Sequence, residues 1–441
     1  MNDIKQTDPD RLQTLLQRRQ SLMGNAYRLF YEQPVHIVSG KGVWLYDSGG
    51  RKYLDVYNNV PHVGHCHPQV VNAICKQAHT LNTHTRYLHE LVLEYAERLT
   101  NRFPDGLDLA MFACTGTEAN ELALRLARAK TGASGMIVTD NAYHGNSWAI
   151  AQITTTYETS EKRADNIVTV PTPDSFRGLY ADDEQAADKY AAHIQTAIET
   201  LANRGLKPAA FIVDTIFSNE GLPTVPQGYL AKAVAIVRKA GGLFIADEVQ
   251  PGFGRLGTDF WGFASQGVKP DIATMGKPMG NGYPISAVVT SARVIDAFQE
   301  HSHYFNTFGG SPVACAAALA VLDVVEQQDL QAKALETGTH LIDGLKMLAA
   351  DNELIGDIRG SGLFIGIDLV RDRASREPAT NETEKVVNRL RHLGVLIGST
   401  GQYDNILKIR PPLVFSKEHA DLLLEKLGIA LDEAGSFNSQ L

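Results

Sequence analysis

A lysine stands in an apolar, glycine-rich stretch where an ammonium group is unexpected. Lys277 lies within DIATMGKPMGNGYPIS (271–286), and after Asp271 this stretch contains no other charged residue. Burying a charge is costly unless a partner neutralises it or its pKa falls. A deprotonated lysine is a nucleophile suited to Schiff-base chemistry. The alternative is an ordinary loop lysine whose stem packs on its neighbours. The choice between these two interpretations depends on the other polar residues of the chain.

Two adjacent acids follow an apolar run in LFIADEVQPGFGR (243–255). Asp247 or Glu248 can cap an element or form an ion pair there. Alternatively, a carboxylate at this place keeps the ring nitrogen of a bound heteroaromatic cation protonated, so that the ring withdraws electrons. A hydrolase with paired carboxylates would need its second acid nearby in space.

Hydroxyl and glycine residues precede two predicted helices. In CTGTEANELALRL (114–126), Gly116 frees the turn and Thr117 supplies a hydroxyl, and the N–H groups at the start of the helix favour a phosphate. The alternative is an ordinary helix cap. Thr307, in YFNTFGGSPVAC (304–315), offers a second hydroxyl before a helix or belongs to a plain turn.

An aromatic residue and several histidines complete the set of candidates. In NAYHG (141–145), Tyr143 is placed to stack on a planar ligand with His144 beside it, or else is a packed aromatic. The histidines of HVGHCHP (62–68) have a spacing that fits neither a helical nor a strand metal face. We therefore predict no metal site.

Each of these features has an ordinary structural alternative, but together they match the needs of one cofactor. Pyridoxal 5'-phosphate (PLP) requires a phosphate cradle, a stacking ring, an acid for its ring nitrogen and a lysine for its aldehyde. The chain supplies these groups in that order.

Short apolar runs alternate with helical segments and predict the elements that position these groups. Continuous apolar runs of this length suit strands buried on both faces, and helices between them imply a doubly wound, mostly parallel sheet. Ligands bind beyond the carboxyl ends of such strands, and three of the runs end in Asp140, Asp214 and Asp247. The runs are LAMFAC (109–114), GMIVTD (135–140), AAFIVD (209–214), GLFIAD (242–247), DIATM (271–275) and ISAVVT (285–290).

The remaining segments predict a second, smaller α+β domain built from both termini. An amphipathic helix is expected over 10–32, and short strands with a DSGG turn over 36–57. We predict an N-terminal segment at 1–66, a large PLP-binding domain at 67–325 and a C-terminal small domain at 326–441.

Net charge, cysteine content and the lengths of the apolar runs indicate the partners and the cellular compartment of the protein. The 441 residues carry a net charge of −9, which argues against a nucleic-acid or anionic-membrane partner. The four cysteines form no CxxC pair and indicate a reducing compartment. The chain has no apolar run of membrane-spanning length and a polar N-terminus, so we expect a cytoplasmic protein.

The sequence resembles the class III (subgroup II) aminotransferase family of fold-type I PLP enzymes over roughly residues 36–415. The matching motifs are GTEANELALRLAR, NAYHGNSWA, FIADEVQPGFGRLG, TMGKPMGNGYPISAVV, NTFGGSPVACAAALAVLDV and IRGSGLFIGIDL. The resemblance implies that Lys277 forms the Schiff base and that Asp247 pairs with the ring nitrogen. It further implies that Val249 packs under the ring, Gln250 approaches the ring oxygen and Tyr143 stacks on the other face.

The resemblance also implies a homodimer with shared active sites. Gly116 and Thr117 would hold the cofactor phosphate, and Thr307 of the other subunit would complete that site.

Departures from the usual family pattern point away from plain transamination. Asp214-Thr215 replaces the usual Glu-Pro, and Asn219 stands where some members have an acid. In LKIRPPL, Lys408 occupies the usual arginine position and Arg410 precedes Pro411.

Further stretches discriminate within the family: NNVPHVGHCHP (58–68), HTRYLHE (84–90), ATMGKPMGNG (273–282), YFNTFGGSPVAC (304–315) and GVLIGSTGQYDNILKIRPPLVF (394–415). In these stretches the sequence most resembles the branch of phospho-lyases that act on O-phosphoethanolamine or 5-phosphohydroxylysine. This resemblance implies a small phosphorylated amine as substrate, with Tyr31, His62, Lys408 and Arg410 as candidates for holding the substrate phosphate. Three alternatives stay open: an aminotransferase using an ω-amine or amino acid, an ammonia-lyase acting on a hydroxy-aminoalkylphosphonate, and a non-enzymatic binding protein.

Overall fold

A seven-stranded sheet forms the centre of the protein in a computed structural model that describes residues 9–157 and 162–436. The first eight residues of the polar N-terminus lie outside this description. The strands are β1 (Ile37–Lys41), β2 (Trp44–Asp47), β3 (Lys52–Asp55), β4 (Leu109–Ala113), β5 (Gly135–Thr139), β6 (Ile167–Val170), β7 (Pro208–Asp214), β8 (Leu243–Asp247), β9 (Ile272–Met275), β10 (Ser286–Thr290), β11 (Ile355–Ser361), β12 (Phe364–Asp372), β13 (Glu377–Pro378), β14 (Val395–Leu396), β15 (Gly398–Thr400) and β16 (Ile406–Ile409).

Helices connect these strands and cover them. They are α1 (Pro9–Met23), α2 (Pro68–Thr80), α3 (Glu90–Thr100), α4 (Gly116–Thr131), α5 (Trp148–Ile153), α6 (Ala186–Asn203), α7 (Tyr229–Lys239), α8 (Gly262–Ser265), α9 (Ala292–Gln299), α10 (Pro312–Gln327), α11 (Leu330–Asp351), α12 (Thr380–His392) and α13 (Lys417–Ser436). No helix among the described residues is long and apolar enough to cross a membrane.

The central sheet confirms the predicted mostly parallel, doubly wound fold. Its strand order is β4-β10-β9-β8-β7-β5-β6, and only β10 runs antiparallel to its neighbours. Successive residues of β8 alternate between two cores: Phe244 and Ala246 belong to one, Leu243 and Ile245 to the other. Burial on both faces explains why these strands are apolar throughout rather than alternating.

The six predicted apolar runs are all strands of this sheet, and β6 is a strand that the prediction omitted. The register places Asp214 opposite Asp247, and Asp247 opposite Thr274. Because β7, β8 and β9 are parallel, their polar carboxyl ends meet at one edge.

The two termini build the smaller part of the fold together. Strand β14 pairs in parallel with β3, so the C-terminal part completes the N-terminal sheet. Residues of both parts, such as Leu54 and Ile365, lie in one buried cluster. The boundaries at 66/67 and 325/326 stay a prediction.

The helix expected over 10–32 is wrong beyond Met23, where α1 ends. Gly24 follows with φ = +65° and donates its N–H to the Gln20 carbonyl at 3.0 Å. A glycine in the left-handed conformation is a common end of a helix because it has no Cβ to clash.

Candidate active site

A cavity of about 240 Å³ opens where β7, β8 and β9 end beside the start of α4. Most of the residues predicted to bind PLP line it together. They are Gly116, Thr117, Tyr143, His144, Asp247, Val249, Gln250 and Lys277, and Asp214 joins them. The parallel register is what brings residues from such distant motifs to one place.

Asp247 is a buried carboxylate held from several sides. Its Oδ2 accepts hydrogen bonds from His144 Nδ1 at 2.8 Å and from Asn120 Nδ2 at 2.9 Å. Its Oδ1 accepts the N–H of Val249 at 3.1 Å. These three hydrogen bonds fix the orientation of the carboxyl group at the cavity wall.

Asn120 is a site residue that the sequence prediction missed. Its side-chain amide also donates to the His144 carbonyl at 2.8 Å, and its oxygen accepts from the Thr274 hydroxyl at 2.6 Å. The residue lies four positions after Gly116 on α4, which places both on one helix face. That spacing was the available signal for a second polar group facing the cavity.

Replacing Asn120 by alanine removes one donor from Asp247 and leaves the Thr274 hydroxyl without its acceptor. A hydrogen bond to a charged group contributes about 1.5–3 kcal/mol, so we expect Asn120→Ala to weaken PLP binding by about tenfold or more. Titration of the cofactor-free variant with PLP, followed by absorbance, measures this. An unchanged dissociation constant would contradict the assigned role.

Lys277 follows Gly276 at the cavity wall, next to the start of α4. A Cβ on Gly276 would lie 3.2 Å from the Gly116 nitrogen, so the two segments pack closely. Desolvation, with a smaller contribution from the Arg410 guanidinium, lowers the pKa of Lys277 to about 8, although Asp247 and Asp214 oppose the shift. The amine is therefore uncharged, and nucleophilic, at a lower pH than a surface lysine.

The lowered pKa predicts that an amine-specific reagent modifies Lys277 at a lower pH than it modifies an ordinary lysine. In cofactor-free protein, the reaction of Lys277 with an amine-specific reagent should rise with a midpoint near pH 8. A small-molecule standard, Nα-acetyl-lysine added to the same reaction, should follow a midpoint of about 10.4. Peptide mass spectrometry across a pH series gives both curves, and coincident midpoints would contradict the environment described for Lys277.

The start of α4 offers donors to an anion. The N–H groups of its first turn have no acceptor within the helix. Thr115 caps the helix by accepting the Glu118 N–H at 3.1 Å, and Thr117 places its hydroxyl 3.3 Å from the side-chain oxygen of Asn146. A Cβ on Gly116 would lie 3.0 Å from Val249, so only glycine lets these segments approach without a shift.

Thr307 does not line the cavity of its own chain. It is exposed in a loop between α9 and α10. Its predicted role belongs to a partner subunit, so it stays a prediction.

Two of the four substrate candidates have their polar atoms engaged elsewhere. His62 is buried, with Nε2 2.8 Å from the Phe253 carbonyl and Nδ1 3.3 Å from the Arg255 guanidinium. Burial and Arg255 lower the pKa of His62 to about 3. The Tyr31 hydroxyl donates to the Ile397 carbonyl at 2.9 Å. Neither residue lines the cavity.

Lys408 and Arg410 are buried basic residues that lie near the cavity without lining it. Burial and Arg410 lower the pKa of Lys408, while Asp214 and Glu220 oppose the shift. The Arg410 guanidinium donates to Gln250, which lines the cavity. Among the described residues, neither Lys408 nor Arg410 forms an ion pair with a carboxylate.

The Glu248 carboxylate is bound by the backbone at Gly262 and Phe263 and does not line the cavity. Its carboxylate accepts from Thr215 at 2.8 Å and from the N–H groups of Gly262 and Phe263 at 2.7 and 2.8 Å. It therefore anchors the loop that follows Gln250. Burial raises its pKa to about 8.

The residues present fit PLP. The cavity joins a buried acid, the donors at the start of α4 and an amine of lowered pKa. The His144 Nε2 atom is buried without a partner in the described chain, so the ring that braces Asp247 has a polar atom left over. Within the described residues, no group of three or more histidine, cysteine or acidic side chains is arranged to hold a metal ion.

Comparisons with known proteins agree with this site. Residues 29–431 match the family model "Aminotransferase class-III". A Drosophila melanogaster protein named alanine--glyoxylate aminotransferase 2-like is 41% identical over 96% of this chain and 88% of its own. A Caenorhabditis elegans protein named ethanolamine-phosphate phospho-lyase homolog 1 is 40% identical over 92% of this chain and 90% of its own.

A solved structure extends the likeness to three dimensions. A phospholyase from Arthrobacter, in complex with phosphoethanolamine, is 46% identical, superposes with a TM-score of 0.92, and covers 95% of this chain and 99% of its own. The matched family model spans nearly the whole chain and includes every cavity residue described above. The chain therefore belongs to the class-III aminotransferase family of PLP-dependent enzymes.

Proposed function

We propose that the protein is a PLP-dependent lyase that eliminates phosphate from an amino-alkyl phosphate such as O-phosphoethanolamine. The overall reaction consumes one water and yields an aldehyde, ammonia and phosphate. The proposal rests mainly on the environment of Arg410. Its guanidinium is buried, donates a hydrogen bond to the cavity residue Gln250, and has no carboxylate partner in the described chain. A buried cation without an anion is costly, and a bound phosphate would complete the pair.

The relatives support the same reading. The Arthrobacter structure is a phospholyase holding phosphoethanolamine, and the C. elegans relative is named as a phospho-lyase homolog. By resemblance, Asn219 replaces an acid that some family members have at this position. Its amide instead donates to the Asn141 carbonyl at 3.0 Å.

Each site residue has a separate role in the proposed reaction. PLP, when bound, would supply an electron sink for the substrate carbon that carries nitrogen. Lys277, uncharged above about pH 8, accepts the proton that leaves this carbon, as a general base. Asp247, oriented by its hydrogen bonds from Asn120 and His144, would pair with the ring nitrogen of PLP and favour its protonated form. Arg410 holds the departing phosphate and stabilises its charge.

We also propose a homodimer in which Thr307 completes the phosphate site of the other subunit. The loop around Thr307 exposes Phe305 and Phe308, and Tyr87 and Leu88 are exposed as well. Exposed apolar residues in this number mark contact surfaces more often than free ones. The cytoplasmic location also remains a proposal, supported by cysteines that are all free.

A transaminase is the second candidate because the Drosophila relative is named alanine--glyoxylate aminotransferase 2-like. Release of phosphate from O-phosphoethanolamine without any keto acid separates the two reactions, since a transaminase stops after one half-reaction. Conversion of the bound cofactor to its amine form by other amines, without phosphate release, would favour transamination. Ammonia release from a hydroxy-aminoalkylphosphonate would instead identify the third alternative.

A further inference from the structure

Three contacts fix the position of Arg410, one through its backbone and two through its guanidinium. Its backbone N–H donates to the Val56 carbonyl at 2.8 Å. Its Cζ lies 4.4 Å from the ring centroid of Tyr57, the next residue along. Its Nη1 donates to the Gln250 side chain. Its Nε is buried without a partner within the described residues, so the group still has donor capacity.

Tyr57 is itself fixed by a local network. The Asp55 carboxylate accepts the N–H of Tyr57 at 3.1 Å and that of Asn58 at 2.9 Å. His65 approaches the other oxygen of Asp55 at 2.7 Å. The ring of Phe30 meets the ring of Tyr57 edge-on at 4.9 Å. These contacts set both the backbone and the ring plane of Tyr57.

Gly398 leaves the space that the Tyr57 ring occupies. A Cβ at position 398 would lie 2.8 Å from Cε2 of Tyr57, closer than real Cβ contacts come, and a tight 3.0 Å from Cδ2. Gly398 is also the register partner of Lys408 on β16, two residues before Arg410. A side chain at 398 would therefore displace the ring on which the guanidinium lies.

We propose that Tyr57, seated against Gly398, is a positioning residue that orients the Arg410 guanidinium to receive the phosphate of the substrate. This rests on the proposed function, and it names the specificity determinant of the same site. Stacking on an aromatic face is a mode of orientation available to arginine because its guanidinium is planar, and lysine lacks it. The ring thus selects a substrate with a distal dianion over a simple amine.

The test measures anion binding by the cofactor-loaded protein, so it does not depend on turnover. Inorganic phosphate and 2-aminoethylphosphonate are titrated while the absorbance of the bound cofactor is followed. The variants are Arg410→Gln, Tyr57→Leu, Tyr57→Phe and Gly398→Ala. Gly428→Ala is the matched control, because its Cβ would meet only Leu348, at an ordinary 3.4 Å.

We expect Arg410→Gln to weaken binding of both anions by about a hundredfold, and Tyr57→Leu and Gly398→Ala by about tenfold. Tyr57→Phe keeps the ring face and is expected to restore binding to within about twofold of wild type. Gly428→Ala should bind as wild type. With O-phosphoethanolamine, the positioning variants should raise KM more than they lower kcat, and binding of unphosphorylated ethanolamine should be unaffected.

Several results would overturn the proposal. One is wild-type anion affinity in Arg410→Gln, in Tyr57→Leu or in a folded Gly398→Ala protein. Equal weakening for ethanolamine and for the phosphonate would indicate general damage rather than positioning. Failure of the wild-type protein to bind either anion would also overturn it. If the wild type binds the anions but releases no phosphate from O-phosphoethanolamine, the proposed reaction fails while the binding site stands.

Discussion

Replacing Lys277 by alanine is expected to abolish turnover and covalent attachment of PLP together. Lys277 is the one lysine at the cavity wall among the described residues, and desolvation together with Arg410 lowers its pKa to about 8. Loss of a general base alone costs about 10²–10⁴-fold in rate, and loss of the covalent step adds to this. We therefore expect a rate at least about a thousandfold below wild type.

Borohydride reduction of the loaded protein followed by peptide mass spectrometry checks the attachment. In the wild type, the cofactor mass should remain on the peptide that contains Lys277, and in Lys277→Ala it should be lost on denaturation. Lys346→Ala, an exposed lysine on α11, is the control and should behave as wild type. Retention of reduced cofactor on another lysine of the variant would refute the assignment.

Replacing Asp247 by asparagine should give the second largest effect. The variant keeps the size of the side chain but removes the charge that His144 and Asn120 brace. Removal of one pre-organised electrostatic partner costs about 10²–10³-fold in kcat, and we expect a loss in that range. Cofactor attachment to Lys277 should persist, because the lysine is unchanged, so trapping and turnover should separate in this variant.

Asp140→Asn is the matched control for this prediction. Asp140 also follows a strand of the central sheet, but it is exposed and does not line the cavity. It should leave turnover within about twofold of wild type, as surface substitutions usually do. Equal losses in Asp140→Asn and Asp247→Asn would mean that a general strand-end effect, not the ring-nitrogen contact, is being measured.

Much of the site could be predicted from sequence because parallel strands impose a rule of position. Residues after apolar runs must meet at one sheet edge, so Asp247 and Asp214 were predictable neighbours, as was the start of α4. Glycine and hydroxyl residues before a helix carry their own local signal, which identified Gly116 and Thr117. Gly24 carried a comparable signal for the end of α1, and the predicted helix ran past it.

Contacts between distant segments could not be predicted in this way. Tyr57 and Gly398 are 341 residues apart, and no local pattern relates a missing Cβ to a ring so far along the chain. His62 was a candidate for substrate binding on residue type, yet Arg255 and a backbone carbonyl engage its ring. Whether a polar side chain faces a cavity or a structural partner depends on packing, which periodicity does not encode.

The measurement that tests the central claim most directly counts products per active site. The loaded protein is incubated with excess O-phosphoethanolamine and no keto acid, and phosphate, acetaldehyde and ammonia are quantified over time. The account predicts equal amounts of all three, rising well beyond one equivalent per site. A yield that stops at one equivalent of aminated cofactor, with no phosphate, would contradict the lyase assignment and favour transamination.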